Sequence, residues 1–150
     1  MRSMQGVALA LLALAACGSN DGAKPRVEDV WVRLAAVPDR PAAAYFTLKG
    51  ARADDRLLRI DSAVVNKIEL HMVGMIGGLM TMRQMADMPL PAGATLKFEP
   101  TGNHAMLFGV DKQITPGTGI PMLFTFKSGA RIEVEAKTVG AGDDMGGMHH

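Results

Sequence analysis

The stretch that decides the fold runs from Pro121 to Val139, PMLFTFKSGARIEVEAKTV. In LFTFKS, residues 123–128, and in IEVEAK, residues 132–137, apolar and polar residues alternate one for one. A period of two sends successive side chains to opposite faces of a strand, so each run turns an apolar edge to a core and a polar edge to water. Ser128-Gly129 cuts the two runs apart with turn residues. The same layout continues upstream through VEDVWVRLAAV, AAAYFTLKG, RLLRIDS, VVNKIELHMV, LMTMRQM, ATLKFEP and HAMLFGV. The separators are Pro38-Asp39-Arg40-Pro41, Asp54-Asp55, Gly77-Gly78, Pro89 to Gly93, Thr101-Gly102-Asn103 and Thr115-Pro116-Gly117. Short strands recurring about every ten residues predict an all-β sandwich or barrel. No helical period is sustained after the N-terminal segment, and no internal repeat occurs.

The two ends read differently from this body. After Met1-Arg2 comes GVALALLALAAC, an apolar run too short for a bilayer-spanning helix of about 20 residues and suited to a signal peptide. Its end, Leu14-Ala15-Ala16-Cys17, resembles a bacterial lipobox, in which cleavage precedes the cysteine and the sulfur carries a lipid. Residues 1–17 are therefore read as a lipoprotein signal with its lipidated Cys17, and residues 18–26, GSNDGAKPR, as a tether. The β domain spans residues 27–139. Residues 140–150, GAGDDMGGMHH, are too polar and too glycine-rich to pack a core and are expected to be a disordered tail. That tail nevertheless holds two of the four histidines and two methionines.

Composition removes several function classes. The 150 residues carry 16 basic and 15 acidic side chains, interspersed, and only 5% aromatics. Neither a basic patch nor a row of stacking aromatics is present to bind nucleic acid. Cys17 is the only cysteine, so the domain offers no disulfide, no CxxC redox pair and no thiolate metal site. Phosphate-binding glycine motifs, nucleophile–base pairs and acid/base pairs are also missing, and an enzyme is not expected.

What remains is soft-donor chemistry. Six of the twelve methionines fall between Met72 and Met88, with His71 just ahead of them. A hairpin turning at Gly77-Gly78 would bring His71 and Met82 to adjacent strands about 4.8 Å apart. His104 and Met106 project from one face of a single strand. Neutral imidazole and thioether donors leave the single charge of Cu(I) uncompensated at little cost, whereas structural zinc prefers thiolate and calcium or magnesium prefer oxygen. A blue-copper centre would need a cysteine ligand, which the domain does not have. Each donor also has a plainer reading. His71 shares the polar parity of Lys67 and Glu69, whereas Met72 shares that of Ile68 and Leu70 and reads as core. Met82 is either ligand or packing. Met75, Met85 and Met88 read as flexible gap-fillers or reserve donors.

The intervals then matter together. His71, ten residues, Met82, twenty-one residues, His104, one residue and Met106 reproduce the H-x10-M-x21-H-x-M signature of the periplasmic copper chaperones called PCu(A)C. The resemblance extends from about Val30 to Lys137 and includes VWVR, AAAYFTL, GLMTMR, LPAGATLKFEP and GNHAMLFG. It implies a cupredoxin-like Greek-key β-barrel or sandwich with a surface Cu(I) site of His71, Met82, His104 and Met106. It also implies delivery of copper toward the CuA centre of cytochrome c oxidase, with the copper-accepting oxidase subunit or another copper chaperone as partner. By the same resemblance Met145, Met148, His149 and His150 are an auxiliary metal site, with Cu(II) as its candidate ion. The location implied is the periplasm, with lipid anchoring through Cys17 as the membrane contact. The chain departs from the pattern at Ile76, where an acidic residue is common. Two other readings stand beside a chaperone: a copper-buffering or resistance protein with no dedicated acceptor, and a metal-free β-sandwich interaction module.

Overall fold

A computed structural model describes residues 22–143, and among them every regular element is a strand. Ten are present: β1 (Arg26–Arg33), β2 (Ala42–Lys49), β3 (Asp55–Asp61), β4 (Val65–Ile76), β5 (Leu79–Met85), β6 (Met88–Leu90), β7 (Thr95–Phe98), β8 (His104–Val110), β9 (Ile120–Phe126) and β10 (Arg131–Val139). The hydrogen-bonded order is β5-β4-β8-β2-β1-β10-β9-β3-β6, with β7 also pairing β2. All neighbours are antiparallel except β1 and β10, which run parallel. Among the described residues no pairing joins β5 to β6. The sheet is therefore an open, curled path, and of the barrel and the sandwich it is the sandwich that forms.

The alternation in residues 121–139 is realised as expected. Ile120, Met122, Phe124 and Phe126 on β9 are buried, and Pro121, Leu123 and Thr125 between them are half-buried. The two walls meet through Phe46 of β2, which stacks on Phe98 of β7 at 4.3 Å and meets Phe124 of β9 edge-on at 5.0 Å. Such offset and edge-on contacts suit the ring quadrupole and add specificity to apolar burial. Leu48, Leu57, Leu90, Leu107 and Ile120 complete the fully buried centre.

Two local features depart from the expected layout. Pro89 and Leu90, read as the start of a turn segment, form with Met88 the short edge strand β6 on β3. An edge position tolerates proline because the missing N–H faces away from the ladder, and Met88 and Leu90 fill the core on either side of it. Arg26, assigned to the tether, already pairs with Lys49 as the first residue of β1.

One loop connection is held by a carboxylate. Asp55 at the start of β3 accepts hydrogen bonds from the Ser128 hydroxyl at 2.6 Å and from the Ser128 amide at 3.0 Å. Partial burial opposes ionisation of Asp55. The Ser128 hydroxyl and the Arg56 and Ser128 amides outweigh it and hold the carboxyl below its ordinary 3.8. Nearby, Arg56 and Asp87 form an ion pair that ties β3 to the segment before β6.

Candidate metal centre

The geometry of the candidate centre starts from a two-residue turn. Gly77 and Gly78 both have positive φ, 57° and 79°, the left-handed pair that a tight hairpin of primed type needs and that glycine adopts without strain. With Ile76 opposite Leu79, the turn fixes every pairing along β4 and β5: Met75 with Met80, Val73 with Met82, His71 with Gln84, Leu70 with Met85. His71 thus faces Gln84 directly and Met82 sits one diagonal step away, across from Val73. Because directly opposed and diagonal i, j±2 neighbours share a face, Met82 still lies on the His71 face.

On its other edge β4 pairs with β8, His71 opposite His104 and Glu69 opposite Met106. The four side chains singled out by their spacing therefore occupy one outer face of three adjacent strands, β5, β4 and β8. The two imidazoles stack with ring centroids 5.5 Å apart and planes inclined by 28°. His71, His104 and Met106 are half-buried, whereas Met82 is 58% exposed at the rim. β8 begins at His104, so the part of the hairpin beyond His71 projects as a two-stranded arm without a third strand beside it.

Hydrogen bonds set which nitrogen of each ring carries the proton. The Glu69 carboxylate accepts from His71 Nε2 at 3.2 Å, which leaves the lone pair on Nδ1. That Nδ1 is buried and has no hydrogen-bond partner. The Gly102 carbonyl accepts from His104 Nδ1 at 3.0 Å, which leaves the lone pair on Nε2. Holding one ring nitrogen by a carboxylate or carbonyl is how a protein orients imidazole toward a cation and raises its basicity. An unpartnered buried nitrogen costs about 1–3 kcal/mol of desolvation that a bound ion would relieve. The donor set on this face is thus two imidazoles and two thioethers, a fit to a soft monovalent ion.

Residues around the four make the arrangement rigid. Lys67 Nζ lies 2.7 Å from Glu69 Oε1 and 4.7 Å from the centre of the Phe108 ring. Lys67 first and His71 second hold the Glu69 carboxyl below its ordinary range, so it stays ionised and accepting. Where β8 has not yet begun, the Asn103 side chain takes the place of a ladder partner and accepts from the Val73 amide at 3.1 Å. Its own carbonyl accepts from the Glu99 amide at 2.9 Å. Asn103 therefore pins Val73, two residues past His71, to the loop that delivers His104. The sequence reading noted Glu69 only as a parity marker and Asn103 only as a turn residue. A carboxylate two places before a strand histidine was the available signal.

The remaining sequence assignments divide. Met72 and Met85 pack against the core and Met88 is fully buried, in keeping with packing roles. Met75 is 66% exposed and fills no gap. Cys17, Met145, Met148, His149 and His150 lie outside the described residues.

The fold is the β-sandwich seen in PCuAC domains. The chain superposes on the "Copper-bound PCuAC domain from PmoF2" with TM-score 0.66 and 20% identity, over 78% of this chain and 93% of that one. It also superposes on the solution structure of CuI-DR1885 from Deinococcus radiodurans with TM-score 0.60 and 23% identity, over 75% of each chain. The apo PCuAC domain of PmoF1 aligns likewise, with TM-score 0.65 and 19% identity over 78% of this chain and 94% of that one. No curated protein matches the sequence. The family model described as "Putative lipoprotein LpqE-like" matches residues 26–138, and the chain belongs to that LpqE-like family.

Proposed function

We propose that the chain is an extracytoplasmic copper chaperone that carries Cu(I) on His71, Met82, His104 and Met106. The observation that carries this reading is the pair of cross-strand imidazoles. Each has its proton committed to a neighbour, one leaves a buried nitrogen without a partner, and two thioethers share the face. Four neutral donors bind a monovalent soft ion without the charge mismatch a divalent ion would meet. Met82 at the exposed rim gives an incoming acceptor a ligand to displace first, as a carrier requires. Similarity in fold to the copper-bound PCuAC domain from PmoF2 and to CuI-DR1885 supports the same assignment.

The acceptor proposed is the CuA centre of cytochrome c oxidase, and the location is the outer side of a membrane to which Cys17 tethers the domain. The family's description as a lipoprotein supports the tether. The His- and Met-containing tail, Met145, Met148, His149 and His150, is proposed as an auxiliary copper-capturing segment with Cu(II) as its candidate ion.

Competition with a Cu(I) chelator tests the ligand set. Protons compete for the imidazole lone pairs, so affinity falls between about pH 7.5 and about pH 5.5. Equal affinity at the two pH values would refute imidazole ligation. A strain without the gene tests delivery. Loss of oxidase activity that added copper restores is the expected result, whereas copper sensitivity with normal oxidase would make the protein a buffer.

A further inference from the structure

The projecting arm carries apolar side chains that the centre does not use. Met75, Ile76, Leu79 and Met80 surround the Gly77-Gly78 turn, each more than 60% exposed. Leaving such side chains in water forgoes the free energy that burial would return, and the core gains nothing from them. Their register is specific. Met75 and Met80 are directly opposed, which places their Cβ atoms about 5 Å apart. Met82 follows two residues after Met80 on the same face, the face of His71. Between the pairs lie Gly74 and Thr81, which carry no charge and close on each other through a 3.2 Å bond from the Thr81 hydroxyl to the Gly74 carbonyl.

We infer that Met75 and Met80 form a second, two-thioether site at the hairpin tip, selective for a soft monovalent cation such as Cu(I) or Ag(I), with Met82 as a third donor only while the His71 face is unoccupied. Three features of the arm support it. Thioether sulfur is neutral and polarisable, so it ligates Cu(I) but competes poorly for zinc, calcium or magnesium. Unbranched methionine has three rotatable bonds and lets two opposed side chains converge on one ion. The tip has no third strand beside it and its side chains stay open to solvent, which suits an exchangeable outer site more than a storage site. Met82 is then shared: it lies beside the Met75–Met80 pair on one side and the His71 face on the other. An ion taken up at the tip can pass through Met82 to the imidazoles without losing soft coordination. Binding at the tip stands without the function proposed above; only the direction of transfer rests on that reading.

The test uses the full chain labelled with 13C in the methionine methyl groups and titrated with Ag(I), a redox-inert probe. The first equivalent is expected to move the Met82 and Met106 methyl resonances, and the second to move Met75 and Met80. The double substitution Met75→Leu/Met80→Leu keeps the apolar surface and is expected to reduce the Ag(I) stoichiometry by about one. In His71→Ala/His104→Ala the Met75 and Met80 shifts persist, because the tip does not depend on the imidazoles. Failure of the His/Met centre would appear separately, as an unmoved Met106. Met75 and Met80 resonances that stay fixed while Met145 and Met148 respond would overturn the inference. Unchanged stoichiometry in the leucine pair would do the same and leave the arm as a docking surface for a protein.

Discussion

One hairpin holds methionine in two different environments. On its inner face and just beyond it, Met72, Met85 and Met88 pack against the core, and Met88 is 1% exposed. On its outer face Met75, Met80 and Met82 stand in water with no packing partner to account for them. The side chain is the same in both sets, and what separates them is strand parity fixed by a two-glycine turn. A methionine count could not distinguish packed from exposed side chains; the face on which each sulfur lies does so.

If the two sets differ as described, substitutions should separate stability from metal binding. The largest effect falls on the inner set. Met88→Ala deletes a fully buried side chain and should destabilise the domain by about 2–5 kcal/mol in chemical denaturation. Cu(I) affinity of the fraction that remains folded should not change. Met82→Leu should do the converse, weakening Cu(I) while leaving the denaturation midpoint in place; a shared loss of stability would return Met82 to the packing class.

A smaller effect is expected at Glu69, which accepts from His71 Nε2 and orients the ring. Glu69→Gln keeps the shape but removes the ionised acceptor. It should weaken Cu(I) about 10–100-fold in chelator competition, as loss of a carboxylate behind a ligating histidine does elsewhere. Affinity equal to that of the native chain would show that His71 needs no orienting partner.

The smallest effect lies away from the centre. The Asp55 carboxyl is depressed in the folded chain, so its contribution is present above the unfolded-state value near 3.8 and is lost as pH falls through the folded one. Asp55→Asn should therefore lower stability by a constant amount above about pH 5 and flatten the fall below about pH 4, where the two chains converge. An identical acid limb in both chains would mean that the Ser128 contacts do not persist in solution.

The sequence made much of this legible. Alternation in residues 121–139 marked β9 and β10 one for one, and LMTMRQM and HAMLFGV coincide with β5 and β8. β6 escaped because proline reads as a breaker, and only its edge position, a tertiary fact, makes Pro89 acceptable there. The open sheet was equally hidden, since closure depends on whether terminal strands meet, which no local pattern encodes. For the centre, the four side chains picked out by their intervals lie on one face of β5, β4 and β8. The direct opposition of His71 and His104 is a long-range register between β4 and β8, and sequence spacing does not specify it. The roles of Asn103 and Glu69 depend on that same register.

The most direct test of the central claim is X-ray absorption at the copper edge of the protein loaded anaerobically with one equivalent of Cu(I), compared with His104→Ala. A mixed nitrogen and sulfur shell, with the nitrogen contribution and the retained copper lost in the variant, is the predicted result. The same shell and the same copper content in both proteins would contradict it and place the ion away from the His71–His104 face.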